Sequence, residues 1–362
     1  MKIAVIGSRG IPAAYSGVEK SIEEAVKRLS LQGKEFIVYG HRGNFPSLAV
    51  KTNPYPHTLI IETPTLKNKY LATITATLLA TVDVLFRKVD IVHYHCLGPS
   101  VFSFLPRLFG KKIVVTIHAL DWKRKKWPFF AKFFLWLSQF SALYFAHRTI
   151  VVSEGMAKKF GPRVIYIPGG VNLAQSSSAT LPEYPGFKKE KYLLFAGRIT
   201  EEKGIDYLIK AFQEIKSDFQ LVIAGEAVYA ERYLNYLKNI AKDNTIFLGP
   251  VEASALGALY DKAYLVVFPS EIEGLSLALL EAASFGKCIV ASDIAEFREV
   301  LGKAGVYFQK GNYLELKKQL EYLFEHPEVA QNKGIETKKI AAGYNWDNIV
   351  ESLEKVYDQL MK

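Results

Sequence analysis

"YLVVFPSEIEGLSLALLEAASFGKCIVAS", residues 264–292, contains one complete structural repeat. Residues 264–269 are apolar at every position rather than at alternate ones, and so is the run from Cys288 to Ala291. Between them 271–274 read as a polar loop, Ser276 stands where a helix cap belongs, and Leu277, Leu280 and Ala283 recur at helical spacing. A strand buried on both faces, a helix, and another such strand make up the pattern of a parallel sheet covered by helices. Working outward, KYLLFAG (191–197), FQLVIAG (219–225), TIFLG (245–249) and GVYF (305–308) repeat the strand signal.

The first half carries the same rhythm in KIAVIG (2–7), FIVY (36–39), TLIIE (58–62), DIVHYH (90–95), KIVVTIH (112–118), TIVVS (149–153) and VIYIP (164–168), with a helical stretch from Val18 to Leu31. Dividing the two series is LAQSSSATLPEYPGFKKE (173–190), rich in Ser and Pro and without apolar period, which reads as a linker. The expected architecture is α/β: two Rossmann-like, doubly wound parallel-sheet domains facing a central cleft, where ligands of such sheets bind.

With 362 residues, 49% hydrophobic and 23% charged, the chain has enough material for two cores and too little polar bias for disorder. Cys96 and Cys288 fit neither a disulfide framework nor a zinc spacing. MKIAVIGSRG lacks the long apolar core of a secretory signal and reads as a first strand, so a reducing cytoplasm is expected. The net charge of +10 is uneven. Residues 1–168 hold 24 Lys and Arg against 9 Asp and Glu, whereas 169–362 hold 22 against 27. A first half at +15 attracts polyanions, whether lipid head groups or phosphorylated substrates.

Two segments break the rhythm. Residues 70–86 are apolar but shorter than the ~20 residues of a membrane span, and they include Asp83, which makes them a buried or surface helix. Residues 122–137, WKRKKWPFFAKFFLWL, interleave Lys123, Arg124, Lys125, Lys126 and Lys132 with Trp and Phe. That mixture suits the head-group layer of an anionic membrane, or else a core helix following a solvated loop. No RRM, KH or helix-turn-helix pattern accompanies it, so nucleic acid is not expected as a partner.

The chemistry-bearing residues sit in two βα loops. Glu273 lies at the carboxyl end of a strand and Glu281 inside the following helix, so the pair brackets a helix start with its free amides. In FAGRITEEKGID (195–206) a second strand ends at Gly197 and presents Arg198 and Lys203. Cations at one loop and hydroxyl-accepting carboxylates at the other suit a ligand that is both phosphate and polyol, such as a nucleotide sugar. His118 ends a strand, with Asp121 three residues on. His93 and His95 face one side of a strand, but no third metal ligand and no DxD motif accompanies them, so no metal is expected. GSRGIP is not GxGxxG, and no nicotinamide or other cofactor is expected.

AGRITEEKG, EGLSLALLE, VIYIPGGVN and the opening GSRGIPAAYSGVE resemble the family-four glycosyltransferases over essentially the whole chain. TIHALDWKR and VSEGMAKKF resemble most a bacterial rhamnosyltransferase-like subgroup of capsule and exopolysaccharide synthesis. The resemblance implies a GT-B fold: an acceptor-binding domain over 1–170 with a C-terminal helix (346–362) packed back on it, a linker over 171–190, and a donor-binding domain over 191–345. It implies that Arg198 and Lys203 hold the donor diphosphate and Glu281 the ribose. Glu273 with Gly274, Leu275 and Ser276 would hold the donor sugar, Gly17 would approach the phosphate, and His118 would sit beside the reacting sugar. Ser16 stands where the family has a first glycine, and Gly169 and Asn172 where it has Asn and Asp.

The implied reaction is transfer of a hexose or deoxyhexose from a UDP-, GDP- or dTDP-sugar to a glycan or polyprenyl-diphosphate-linked acceptor. It proceeds with retention and without a metal, at the cytoplasmic face of the membrane. The rival readings are a nucleotide-sugar epimerase of the same fold and a non-catalytic nucleotide-sugar-binding or membrane scaffold protein.

Overall fold

The computed structural model describes residues 1–13, 16–43, 55–66, 71–124, 127–174, 180–189, 191–227 and 230–362. The chain forms two compact units, Met1–Gly170 together with Trp346–Lys362, and Val171–Asn345. The stretch 173–190 therefore clusters with the second unit, apart from 175–179 and 190, which lie outside the described residues.

In the first unit the elements follow in the order β1 (Lys2–Ile6), α1 (Gly17–Leu31), β2 (Glu35–His41), β3 (Thr58–Thr63), α2 (Leu71–Leu85), β4 (Ile91–His95), α3 (Leu97–Ser100), α4 (Phe104–Leu108), β5 (Lys112–Ile117), α5 (Phe129–Tyr144), β6 (Arg148–Val151), α6 (Glu154–Phe160) and β7 (Val164–Tyr166). Among the described residues these strands make a seven-stranded sheet in the order β3-β2-β1-β4-β5-β6-β7. Every pairing is parallel. Parallel strands need helical crossovers, which cover both faces and explain why Ile3–Ile6, Ile91–Tyr94 and Ile113–Val115 are buried without alternation.

The second unit runs β8 (Tyr192–Ala196), α7 (Ile205–Gln213), β9 (Gln220–Ala224), α8 (Glu231–Ile240), β10 (Thr245–Gly249), α9 (Ala253–Lys262), β11 (Leu265–Phe268), α10 (Leu277–Ser284), β12 (Cys288–Ser292), α11 (Ala295–Leu301), β13 (Val306–Phe308), α12 (Tyr313–Glu325) and α13 (Pro327–Ala342). Its parallel sheet has the order β10-β9-β8-β11-β12-β13. Phe195, Leu208, Phe212, Ile223, Val267 and Leu320 belong to one buried cluster between sheet and helices. The last helix, α14 (Trp346–Met361), belongs to the first unit and packs against α1.

Both sheets are doubly wound. Strand order reverses between β1 and β4 in one and between β8 and β11 in the other. At such a switch point the crossovers leave in opposite directions, and the two loops at the carboxyl ends part to make a ligand crevice within the unit. Of residues 70–86, Leu71–Leu85 form helix α2 and residue 70 lies outside the described residues; no described helix is long and apolar enough to cross a membrane.

Candidate active site

In the second unit the loops after β8 and β11 adjoin because those strands pair directly, Leu193 beside Leu265 and Leu194 beside Val266. The β8 loop leaves Gly197, passes Arg198 and a single 3-10 turn at Glu201–Lys203, and enters α7 through Gly204. Gly204 has φ +63°, and a Cβ there would stand 2.2 Å from the Pro269 carbonyl oxygen of the neighbouring loop. Glycine is what allows the two loops to touch. The Glu271 N–H then donates to Glu202 O at 2.9 Å, and Tyr207 donates to Glu271 Oε1 at 2.7 Å. Behind them Ile199 N–H donates to Glu226 O at 2.9 Å, which ties in the loop after β9.

On this frame Lys203 forms a short ion pair with Glu273, both side chains largely shielded from solvent, and Ser270 Oγ donates to Glu273 at 2.9 Å. The cation and the acid assigned to different parts of a donor are thus partners here. Arg198 has no hydrogen-bond or ion-pair partner among the described residues and stays half-exposed at the same loop. Gly274 and Leu275 lead to Ser276, the N-cap of α10, whose Oγ accepts from Leu279 N–H at 3.4 Å. Glu281 lies one turn further along; burial of Tyr260 raises that phenol's pKa, and the Glu281 charge adds to the rise. An unpaired guanidinium, a paired lysine and a capped helix start therefore converge at one switch point, where they can neutralise a polyanion; the flanking carboxylates can accept from hydroxyls.

In the first unit Gly17 is exposed at the first turn of α1, and Ser16 N–H donates to Glu19 at 2.9 Å. Ala14 and Tyr15, part of the motif opening, lie outside the described residues. His118 follows β5, and its Nε2 lies 3.0 Å from Nδ1 of His95 on β4. Asp121 begins a 3-10 turn and pairs with Arg124 at 3.0 Å, while His118 is hydrogen-bonded to His95. His93 is held from both sides, Nδ1 by the Tyr357 hydroxyl at 2.6 Å and Nε2 by Thr116 Oγ1 at 2.7 Å. Burial pushes His93 down to about 3 and His118 to about 4, and holds His95 well below its usual value. All three are therefore neutral at pH 7, and the His95–His118 nitrogen pair is an N–H facing a lone pair. They line a cavity of about 60 Å³ together with Trp346 and Val350 of α14. No group of His, Cys, Asp and Glu among the described residues is arranged to hold a metal ion.

Period-two alternation puts His93 and His95 on one side of β4, which the sequence does show. Thr116, Tyr357 and Trp346 give no such signal, since their part comes from strand adjacency and from the return of the chain end. The segment 122–137 divides into a 3-10 turn, Asp121–Lys123, and helix α5, with Lys125 and Lys126 outside the described residues.

The model of the Glycosyl transferases group 1 matches residues 179–358, and the model of Glycosyltransferase Family 4 matches 15–175. The chain belongs to the family-four glycosyltransferases. The enzyme is 22% identical over 362 residues to an uncharacterised glycosyltransferase of Methanocaldococcus jannaschii, covering 97% of each chain. It is 28% identical over 149 residues to a D-rhamnosyltransferase of Pseudomonas aeruginosa, which spans 40% of this chain and 39% of that one. Its fold is that of the Anabaena protein HepE, solved in complex with UDP-glucose, at a TM-score of 0.82 and 17% identity over 99% and 100% of the two chains.

Proposed function

We propose that the enzyme moves a hexose or deoxyhexose, rhamnose among the candidates, from a nucleoside-diphosphate donor to a glycan or polyprenyl-diphosphate-linked acceptor in bacterial surface-polysaccharide synthesis. The observation that carries the reading is the second sheet's switch point, where β8 pairs with β11, so that the loop holding Arg198 and Lys203 adjoins the loop holding Glu273 and leading into α10, and Lys203 pairs with Glu273. The complex of HepE with UDP-glucose on the same fold supports a nucleotide-sugar donor, and the partial likeness to a D-rhamnosyltransferase supports a deoxyhexose.

In this reading the C1–O bond of the donor breaks and its electron pair goes to the departing diphosphate, whose growing charge Arg198 and Lys203 neutralise. The acceptor hydroxyl forms the new bond from the same face and gives its proton to the diphosphate, which leaves the anomeric configuration retained. Side chains and the helix start supply the neutralisation without a metal ion. Glu281 holds the ribose, Glu273 and the 274–276 backbone the sugar, and Gly17 the phosphate. Asp121 steadies the His118 loop. Neutral His118 offers a hydrogen bond to a sugar hydroxyl. The first unit takes the acceptor at the cytoplasmic membrane face.

Incubation with UDP-, GDP- and dTDP-sugars and a polyprenyl-diphosphate-linked glycan tests this. Acceptor-dependent transfer is expected, lost by about 10²-fold or more in Arg198→Ala without loss of fold, with donor binding weakened in Glu281→Ala. Release of an epimerised donor without acceptor would make the protein an epimerase, and donor binding without turnover a non-catalytic binder. Unchanged rates in both variants would remove the site assignment.

A further inference from the structure

Helix α5 turns its small residues inward and its large aromatics outward. The inner stripe is Leu135, Ser138, Gln139, Ser141 and Ala142, all buried. Its hydroxyls are satisfied locally, Ser138 Oγ by Phe134 O at 2.8 Å and Ser141 Oγ by Ser103 Oγ at 3.1 Å. The outer stripe is Phe129, Phe133, Trp136, Phe140 and Tyr144, the helical spacing of one face, all exposed. Phe130 beside it is 84% exposed. The rings contact one another along the stripe, Phe133 to Trp136 at 6.0 Å, Trp136 to Phe140 at 4.7 Å and Phe140 to Tyr144 at 6.3 Å.

The apolar surface continues beyond the helix. Phe145 lies 6.0 Å from Phe104 of α4, Arg107 donates to Phe145 O at 2.7 Å, and Leu108 and Phe109 follow, both exposed. Helix α2, packed on α4, exposes Leu78, Leu79 and Val82, and Phe86 is exposed just past its end. Exposed aromatic and aliphatic side chains on neighbouring helices of a folded unit mark an interaction surface.

Charge selects the partner. Residues 97–163 hold 12 Lys and Arg against 2 Asp and Glu, a net +10 equal to the formal charge of the whole chain. Both acids are already paired, Asp121 with Arg124 and Glu154 with Lys158. Arg163 lies over the Tyr144 ring at 5.3 Å, which brings cation and stripe together. A second copy of the chain would set +10 against +10, which opposes association. Aromatic and aliphatic side chains with Lys and Arg around them match the boundary between acyl chains and anionic head groups.

We propose that this face, centred on α5 and continued by α4 and α2, docks the first unit onto an anionic lipid bilayer, with α5 lying in the interface and its aromatic stripe toward the acyl chains. The docking does not depend on the donor or acceptor assigned above. Full-length protein is sedimented with phosphatidylcholine vesicles, with or without phosphatidylglycerol, at low and high salt. Binding is expected to the mixed vesicles only and to weaken with salt. Phe129→Asp combined with Phe130→Asp lowers it at least tenfold, and Lys132→Glu, which leaves every apolar side chain in place, lowers it severalfold, each basic residue being worth about fivefold. Both variants keep the wild-type UDP-sugar thermal shift, which separates failure of docking from failure of the donor site. No binding to mixed vesicles, equal binding to both vesicle types, or variants that bind like wild type would each overturn the proposal. So would a wild-type dimer that the Phe129/Phe130 variant dissolves.

Discussion

Lys203 and Glu273 face each other across two loops that only Gly204 lets approach, so the site's second cation is already engaged by a carboxylate. A diphosphate has to share or displace that carboxylate, whereas Arg198 needs no displacement. Glu273→Gln keeps the contact to Ser270 in form and frees Lys203. The expected outcome is UDP affinity unchanged or higher, with turnover down about 10²-fold if Glu273 orients the donor sugar, read by calorimetry beside steady-state rates. Equal loss of affinity and turnover would mean that the carboxylate only organises the loop. Gly225 is a second close approach: at φ +150°, a Cβ there would stand 1.8 Å from the Gly197 carbonyl oxygen. Gly225→Ala should cost about 1–3 kcal/mol through forced overpacking and strain, and should also weaken donor binding because it pushes on the strand end before Arg198. Chemical denaturation and a UDP thermal shift check both parts. Arg198, Lys203, Glu273 and Glu281 were each legible as residues at strand ends or in a helix, because βα loops announce themselves by glycine after an apolar run. The ion pair was not legible, since it depends on β8 lying beside β11, a pairing separated by about seventy positions of chain.

Helix α14 closes over the histidines of β4 and β5, and its Tyr357 hydroxyl completes the bonding of His93. Because His93 and His118 are held at about 3 and about 4, against about 6.5 in an unfolded chain, the unfolded state binds more protons in that interval. Their contribution to stability is therefore complete above about pH 6.5 and is lost progressively as pH falls toward 4. Each buried neutral imidazole adds at most about 1.4 kcal/mol per pH unit to that slope. Melting followed by circular dichroism from pH 7.5 to 4.5 should show the fall, and His93→Gln, which retains a polar group but cannot titrate, should flatten it. An unaltered slope in the variant would mean that His93 contributes nothing measurable and that the other titrating groups, His95 and His118 among them, carry the effect. The strands were legible as unbroken apolar runs, and their parallel sense follows from double-sided burial. Their order across the sheet was not, nor was the outward turn of α5. That helix is apolar nearly all round, so its period does not say which side is inside; Ser138, Ser141 and Ala142 decide it by being small enough to pack.

At the scale of the molecule the first unit is discontinuous in sequence: its sheet is made by residues 1–170 and one of its walls by the last seventeen. That wall is held at several points. Trp346 packs on Gly170, where a Cβ would come within 2.7 Å of the indole ring. Arg28 pairs with Asp347 at 2.7 Å, and Lys34 with Glu354 at 2.5 Å. Trp346, Val350, Val356, Tyr357 and Leu360 are buried against the rest of the unit. At about 1.5–3 kcal/mol for each large apolar side chain, their burial is worth on the order of 10 kcal/mol as an upper estimate. A domain's whole stability is about 5–15 kcal/mol, so the first unit should not survive without α14. The second unit, whose sheet and core lie wholly within 171–345, loses nothing from its interior by the same cut. A chain ending at Asn345 should therefore lose amide protection throughout β1–β7 while β8–β13 stay protected in hydrogen exchange. UDP-sugar should still raise the melting temperature of what remains folded, since Arg198, Lys203, Glu273 and Glu281 all belong to that unit. Transfer should be absent, because the first unit, to which the proposed function assigns the acceptor and His118, would be unfolded. Retained protection in β1–β7 would show that α14 covers the histidine cavity without supporting the sheet beneath it, and it would confine that helix's part to fixing His93 through Tyr357.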